Sequence, residues 1–144
     1  MTNSTFIEGY SADGSLHYTP YSDDPRVSHS HGWSTGPTSS LSFYVAGLQL
    51  VGPAGSEWLI APQLGDLTEV EAGFESPLGH FWSKSEGSGN GTVTNLEFQT
   101  PEGTSGSVTL LGVQGKLVNG YGEEVVLVNG EASGLKGGKW MLVN

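Results

Sequence analysis

The residues able to do chemistry crowd into the first quarter of this chain: Glu8, Asp13, Asp23, Asp24, His29, His31 and Trp33. Three chemistries compete for them. The first is a metal site, because "HSH" at 29–31 sets two imidazoles on one side of an extended segment. Zinc needs three or four ligands and a supporting shell of hydrogen bonds, and His17 and His80 are remote in sequence. No metal and no cofactor is therefore expected. The second is nucleophilic hydrolysis, but the chain has no Cys to serve as a thiolate nucleophile. The third is saccharide binding. A pyranose offers an apolar C–H face, which an aromatic ring covers, and a rim of hydroxyls, which carboxylates, His and amides grip. Trp33 beside His31, with Glu8 and Asp13 nearby, has those residue types. The competing reading of Trp33 is structural, as a core or lid residue just ahead of a helix.

Two kinds of element must position these groups. Pro37 suits a first helical position, with Thr35 or Gly36 near the cap. Leu41, Tyr44, Val45 and Leu48 follow at i, i+3, i+4 and i+7, one face of a helix of about ten residues that Gly47 ends. Before it, residues 1–27 read as loop or irregular hairpin around the Asp13-Gly14 turn signal. After it come short runs rich in β-branched and aromatic residues: "EWLIAP", "DLTEVEAGF", "GHFWSKS", "TVTNLEFQT", "GSVTLLGV", "EEVVLVNG" and "KWMLVN". Turn clusters such as "VNGYGE" and "NGEASGLKGG" separate them. In "TVTNLEF", Thr94, Leu96 and Phe98 share one face and Val93, Asn95 and Glu97 the other. The expected fold is all-β, an antiparallel β-sandwich of about 7–8 strands with an irregular N-terminal segment and one short α-helix. The expected organisation is residues 1–48 as loop and helix, then 49–144 as the sandwich.

Composition narrows the partners. The 144 residues carry a formal charge of −10, and the five basic residues are scattered. Phosphate-rich surfaces are held by basic patches, so nucleic acid is excluded as an expected partner, and so is membrane insertion, for want of a long apolar run. Neutral glycans remain. "GSGNG" at 87–91 lacks a Lys and leads into no helix, so it is a loop rather than a phosphate cradle. The start has no basic segment followed by an apolar one, which points to a cytoplasmic or non-classically secreted protein, or an extracellular one if the chain is a piece of a secreted enzyme.

"SHGWSTGPTSSLSFYVAGLQL" followed by "WLIAPQLGDLTEVEAGFESPLGHFWSKSEG" resembles the C-terminal part of the α-L-rhamnosidases of glycoside hydrolase family 78. The resemblance runs from about Thr5 to the end and is most specific over residues 28–85. It implies that the helix after Gly-Pro-Thr is the last helix of an (α/α)6 barrel, and that a β-sandwich follows it. It implies that His31 is the residue that contacts rhamnose and that Glu8 matches the general base of an inverting mechanism. The general acid belongs to a barrel region that has no counterpart in this sequence. No rhamnosidase activity is expected of this chain by itself.

The expected function is thus a lectin-like protein that binds neutral glycans without hydrolysing them, similar to small fungal lectins, through Glu8, His31, Trp33 and Asp13. Trp58, Trp82 and Trp140 are alternative binders, each with a competing reading as core. The helix face of Leu41, Tyr44, Val45 and Leu48, having lost its barrel neighbours, is expected to pair two copies in a homodimer. The alternatives are a non-catalytic accessory segment of an α-L-rhamnosidase, or a protein-interaction or immunomodulatory module.

Overall fold

The computed structural model describes residues 6–9, 12–14, 28 and 30–144. His17, His29, Asp23 and Asp24 lie outside them. The chain divides into two compact units, Met1–Ser39 and Ser40–Asn144.

That segment is helical in three different ways. A 3-10 turn spans Gly32–Thr35, helix α1 spans Gly36–Ser40, and a π-helical turn spans Leu41–Val45. The π turn closes with the Ala46 N–H donating to the Leu41 carbonyl at 2.9 Å. Gly47 then ends the helix, as expected, with φ +69°. Any Cβ there would fall onto the Ala61–Pro62 peptide, so only glycine fits. The expected four-residue face does not form. Leu48 is fully buried as the first residue of strand β1, whereas Leu41 and Tyr44 stay exposed. The wider π turn and the glycine break rotate Leu48 off the helical face.

Eight strands follow: β1 (Leu48–Leu50), β2 (Glu57–Ile60), β3 (Glu69–Ser76), β4 (Gly79–Gly87), β5 (Val93–Thr109), β6 (Lys116–Asn119), β7 (Glu124–Val126) and β8 (Glu131–Val143). They hydrogen-bond into one continuous sheet that doubles back on itself. The long strands β5 and β8 run through both layers, and their pairing shifts register between Thr100 and Ser105. On one side of that bend the order is β3-β4-β5-β8-β6-β7, and on the other β1-β2-β5-β8. The two layers enclose one core. Trp58 of the second layer meets Phe98 of the first edge-on, ring centroids 5.5 Å apart. Leu48, Ile60, Phe81, Leu96, Leu117 and Trp140 fill the space around them. Each large apolar side chain buried in this way contributes roughly 1.5–3 kcal/mol.

The sandwich is not wholly antiparallel. β2 runs parallel to β5, from Glu57 opposite Ser105 to Ile60 opposite Val108. Parallel neighbours need a long crossover, and the β3–β4 hairpin supplies it. The alternation expected in "TVTNLEF" is also corrected at its start. Leu96 and Phe98 face the core, but Val93 is buried and Thr94 exposed. A β-bulge does this: Asn95 pairs with Glu86 and Val93 with Gly87, so Thr94 is the extra residue.

Candidate functional site

In the first unit, two short segments lie side by side in antiparallel sense. The Glu8 N–H donates to the Ser28 carbonyl at 2.8 Å, and the His31 N–H to the Phe6 carbonyl at 2.8 Å. Glu8 and His31 are therefore carried on paired segments. The Glu8 carboxylate also accepts the Ser28 N–H at 2.9 Å, which fixes it locally. His31 is extended (φ −102°, ψ 112°) and opens the 3-10 turn, its carbonyl accepting the Ser34 N–H at 3.0 Å. Trp33, in that turn, is 94% exposed. Asp13 is exposed in the turn ahead of Gly14, whose φ is +81°. Among the described residues no group of three or more His, Asp or Glu could hold a metal.

The sandwich offers a different arrangement. Trp58 and Trp140 are core residues. The Trp58 indole N–H donates to the Thr104 hydroxyl at 3.0 Å, and that hydroxyl donates to the Pro101 carbonyl at 2.6 Å. This chain of bonds pins the bend of β5. The Trp140 N–H donates to the Lys136 carbonyl at 2.9 Å. Trp82 differs. It lies half-exposed on the outer face of β4, opposite Gly73 on one side and Gln99 on the other. Its N–H donates to Glu71 at 2.7 Å. On the same face, Lys84 pairs with Glu69 at 2.9 Å, and that hydrogen bond, together with the charges of Glu69, Glu86 and Glu71, holds the ammonium above its ordinary pKa.

An open cleft of about 590 Å³ follows the bend of the long strands. The β3–β4 turn contributes Leu78, β4 contributes Gly79 and His80, β5 contributes Gln99 to Glu102, the β6–β7 turn contributes Gly120 and Tyr121, and β8 contributes Gly138 and Lys139. His80 is bonded to Glu75 at 2.8 Å, and Lys139 lies 3.7 Å from Glu97. Tyr121 is 88% exposed, yet its turn is tightly held. Asn119 accepts the N–H groups of Tyr121 and Glu123 on its side-chain oxygen at 3.0 and 2.9 Å, and donates to the Glu123 carboxylate at 3.1 Å.

A family model described as the bacterial α-L-rhamnosidase C-terminal domain matches residues 47–124, more than half of the chain. This chain belongs to that family. The match begins at the glycine that ends the helix and reaches the start of β7, so it covers most of the sandwich. Among solved structures, an α-L-rhamnosidase from Streptomyces avermitilis in complex with L-rhamnose superimposes with a TM-score of 0.65 at 18% identity, over 92% of this chain and 13% of that one. An α-L-rhamnosidase from Dictyoglumus thermophilum does so with a TM-score of 0.58 at 15% identity, over 83% of this chain and 15% of that one. No curated protein matches. The chain thus spans about one seventh of the length of the solved rhamnosidases it matches.

For a rhamnosidase C-terminal domain, the cleft of the sandwich is the feature the sequence hid. Its β3–β4, β5 and β6–β7 residues fall inside the family match, while Gly138 and Lys139 lie beyond it. Tyr121 sits in "VNGYGE", a turn cluster in which an aromatic residue has no core to join. That exposed ring in a glycine-flanked turn was the available signal. His80, Gln99 and Lys139 carried none, because only the sheet register brings them together.

Proposed function

We propose that this chain is a non-hydrolysing accessory β-sandwich of an α-L-rhamnosidase-type protein. The family match over residues 47–124 carries the reading. The chemistry supports it. Inverting hydrolysis needs a general acid and a general base on opposite sides of the scissile bond, roughly 6.5–9.5 Å apart. On the resemblance, Glu8 is one of that pair, and its partner belongs to the barrel. Incubation of the purified chain with 4-nitrophenyl α-L-rhamnopyranoside is expected to release no nitrophenol above the buffer rate. Turnover that is lost in Glu8→Gln would overturn the reading.

A second reading, glycan binding through the first unit, is favoured by one observation: Trp33 is almost fully exposed beside the paired segments that carry Glu8 and His31. An exposed indole suits the apolar face of a neutral sugar, and a carboxylate and an imidazole suit its hydroxyl rim. With Leu41 and Tyr44 57% and 61% exposed, pairing of two copies over them would raise avidity. A glycan array comparing wild type with Trp33→Ala and His31→Ala tests this site. Loss of signal in both variants is expected, and signal unaltered in both removes the first unit from consideration.

A further inference from the structure

We infer that the cleft at the bend of β5 and β8 is a binding site for a neutral saccharide, in which a sugar ring stacks on Tyr121 and its hydroxyls are held by His80, Gln99 and Glu102. The inference goes beyond the accessory reading and uses none of the residues of the first unit.

Four observations carry it. Tyr121 exposes 88% of its surface, which leaves a large apolar ring in water. The ring is nevertheless not on a loose loop. Asn119 ties both sides of the turn, and the Gly120 N–H bonds the Lys139 carbonyl of β8 at 3.3 Å. The backbone that carries the ring is thus fixed, and a preorganised backbone lowers the ordering cost of binding. The cleft beside it is about 590 Å³, within the range of small-molecule sites. Its walls mix an amide, an imidazole and a carboxylate, donors and acceptors together, as a polyol requires.

The charges select among polar ligands. The one ammonium on the wall, Lys139, already faces Glu97 at 3.7 Å. Glu102 lines the cleft, and Glu75 stands behind His80. The local balance is therefore negative, and an anionic ligand is repelled. A neutral ring with one apolar face meets every condition.

The test is an amide chemical-shift titration of the full chain with methyl glycosides of L-rhamnose, D-glucose, D-galactose and D-mannose, and with glucuronate as the anionic control. Shifts are expected for at least one neutral glycoside, clustered on Gly79, Gln99, Tyr121 and Gly138. Tyr121→Ala should weaken that binding by about tenfold or more, and Tyr121→Phe should keep it, because the ring face remains. Trp33→Ala should leave it unchanged, which separates this cleft from the first unit. The proposal is overturned if no neutral glycoside shifts these amides, if glucuronate binds more tightly than all of them, or if Tyr121→Ala binds as wild type does.

Discussion

Two threonines four residues apart show how much a single hydroxyl depends on its partner. Thr104 accepts the buried Trp58 indole N–H and donates to the Pro101 carbonyl. Thr100 is also buried, and its hydroxyl has no hydrogen-bond partner within the protein. A buried polar group without a partner costs about 1–3 kcal/mol, while removing one member of a bonded pair strands the other. Valine is nearly isosteric with threonine, so the two substitutions should act in opposite directions. Thr104→Val is expected to lower the unfolding free energy by about 1–3 kcal/mol, through the orphaned indole N–H. Thr100→Val is expected to raise it by about 1 kcal/mol. Urea unfolding followed by tryptophan fluorescence measures both. Destabilisation by Thr100→Val would mean that its hydroxyl has a partner after all.

At the scale of elements, the β3–β4 hairpin is held on its outer face by charge. Lys84 is bonded to Glu69 at 2.9 Å, with Glu86 3.9 Å away. The hydrogen bond to Glu69 is the main cause of its raised pKa. A lysine whose folded pKa lies above its unfolded value stabilises the fold fully below the unfolded value of 10.5, and that contribution is lost as the pH climbs through the higher folded value. The ammonium is solvent-exposed, so the effect is small and screened by salt. Thermal melts of wild type and Lys84→Met should therefore differ at about pH 8 and converge as the pH climbs beyond 10.5 through the raised folded value, and the gap at the lower pH should narrow in about 1 M salt. A gap that persists at the higher pH would assign it to packing of the lysine stem instead. The strands that this reasoning rests on were mostly legible in the sequence. "GHFWSKS" is most of β4, "DLTEVEAGF" covers most of β3, and Asn129-Gly130 makes a two-residue hairpin turn, with φ of +54° and +81° between Val128 and Glu131. What was hidden has a common cause. "NGEASGLKGG" reads as a turn cluster, but its later residues run as strand β8, where Gly137 passes so close to the Pro101 carbonyl that no side chain fits. Likewise "PEGTSG" is a bend inside β5 rather than a break between two strands. Glycine in these places serves close backbone approach, and one-dimensional pattern cannot distinguish that from a turn. The same limit hid the cleft, whose walls come from three strands and two turns.

For the whole molecule, the distribution of buried apolar residues decides which part can stand alone. Every fully buried hydrophobic side chain among the described residues lies at Ala46 or beyond, inside the unit Ser40–Asn144. That unit holds the complete two-layer core, all eight strands and the π turn whose carbonyl at Val45 accepts the Gln63 N–H at 3.0 Å. A chain of roughly one hundred residues buries enough surface to fold without disulfides or metal. Expressed by itself, Ser40–Asn144 is expected to unfold in one cooperative transition within about 4–8 °C of the full chain, the shift that a change of only about 1 kcal/mol produces. The same truncation separates the two candidate binding regions, because Glu8, His31 and Trp33 leave with the first unit and Tyr121 stays. Saccharide binding that survives in Ser40–Asn144 and disappears with Tyr121→Ala belongs to the sandwich. Binding present in the full chain and absent from a folded Ser40–Asn144 belongs to the residues that the resemblance to the rhamnosidases first drew attention to. If the truncated unit fails to melt cooperatively, the core requires residues ahead of Ser40, and the chain is a single folding unit rather than two.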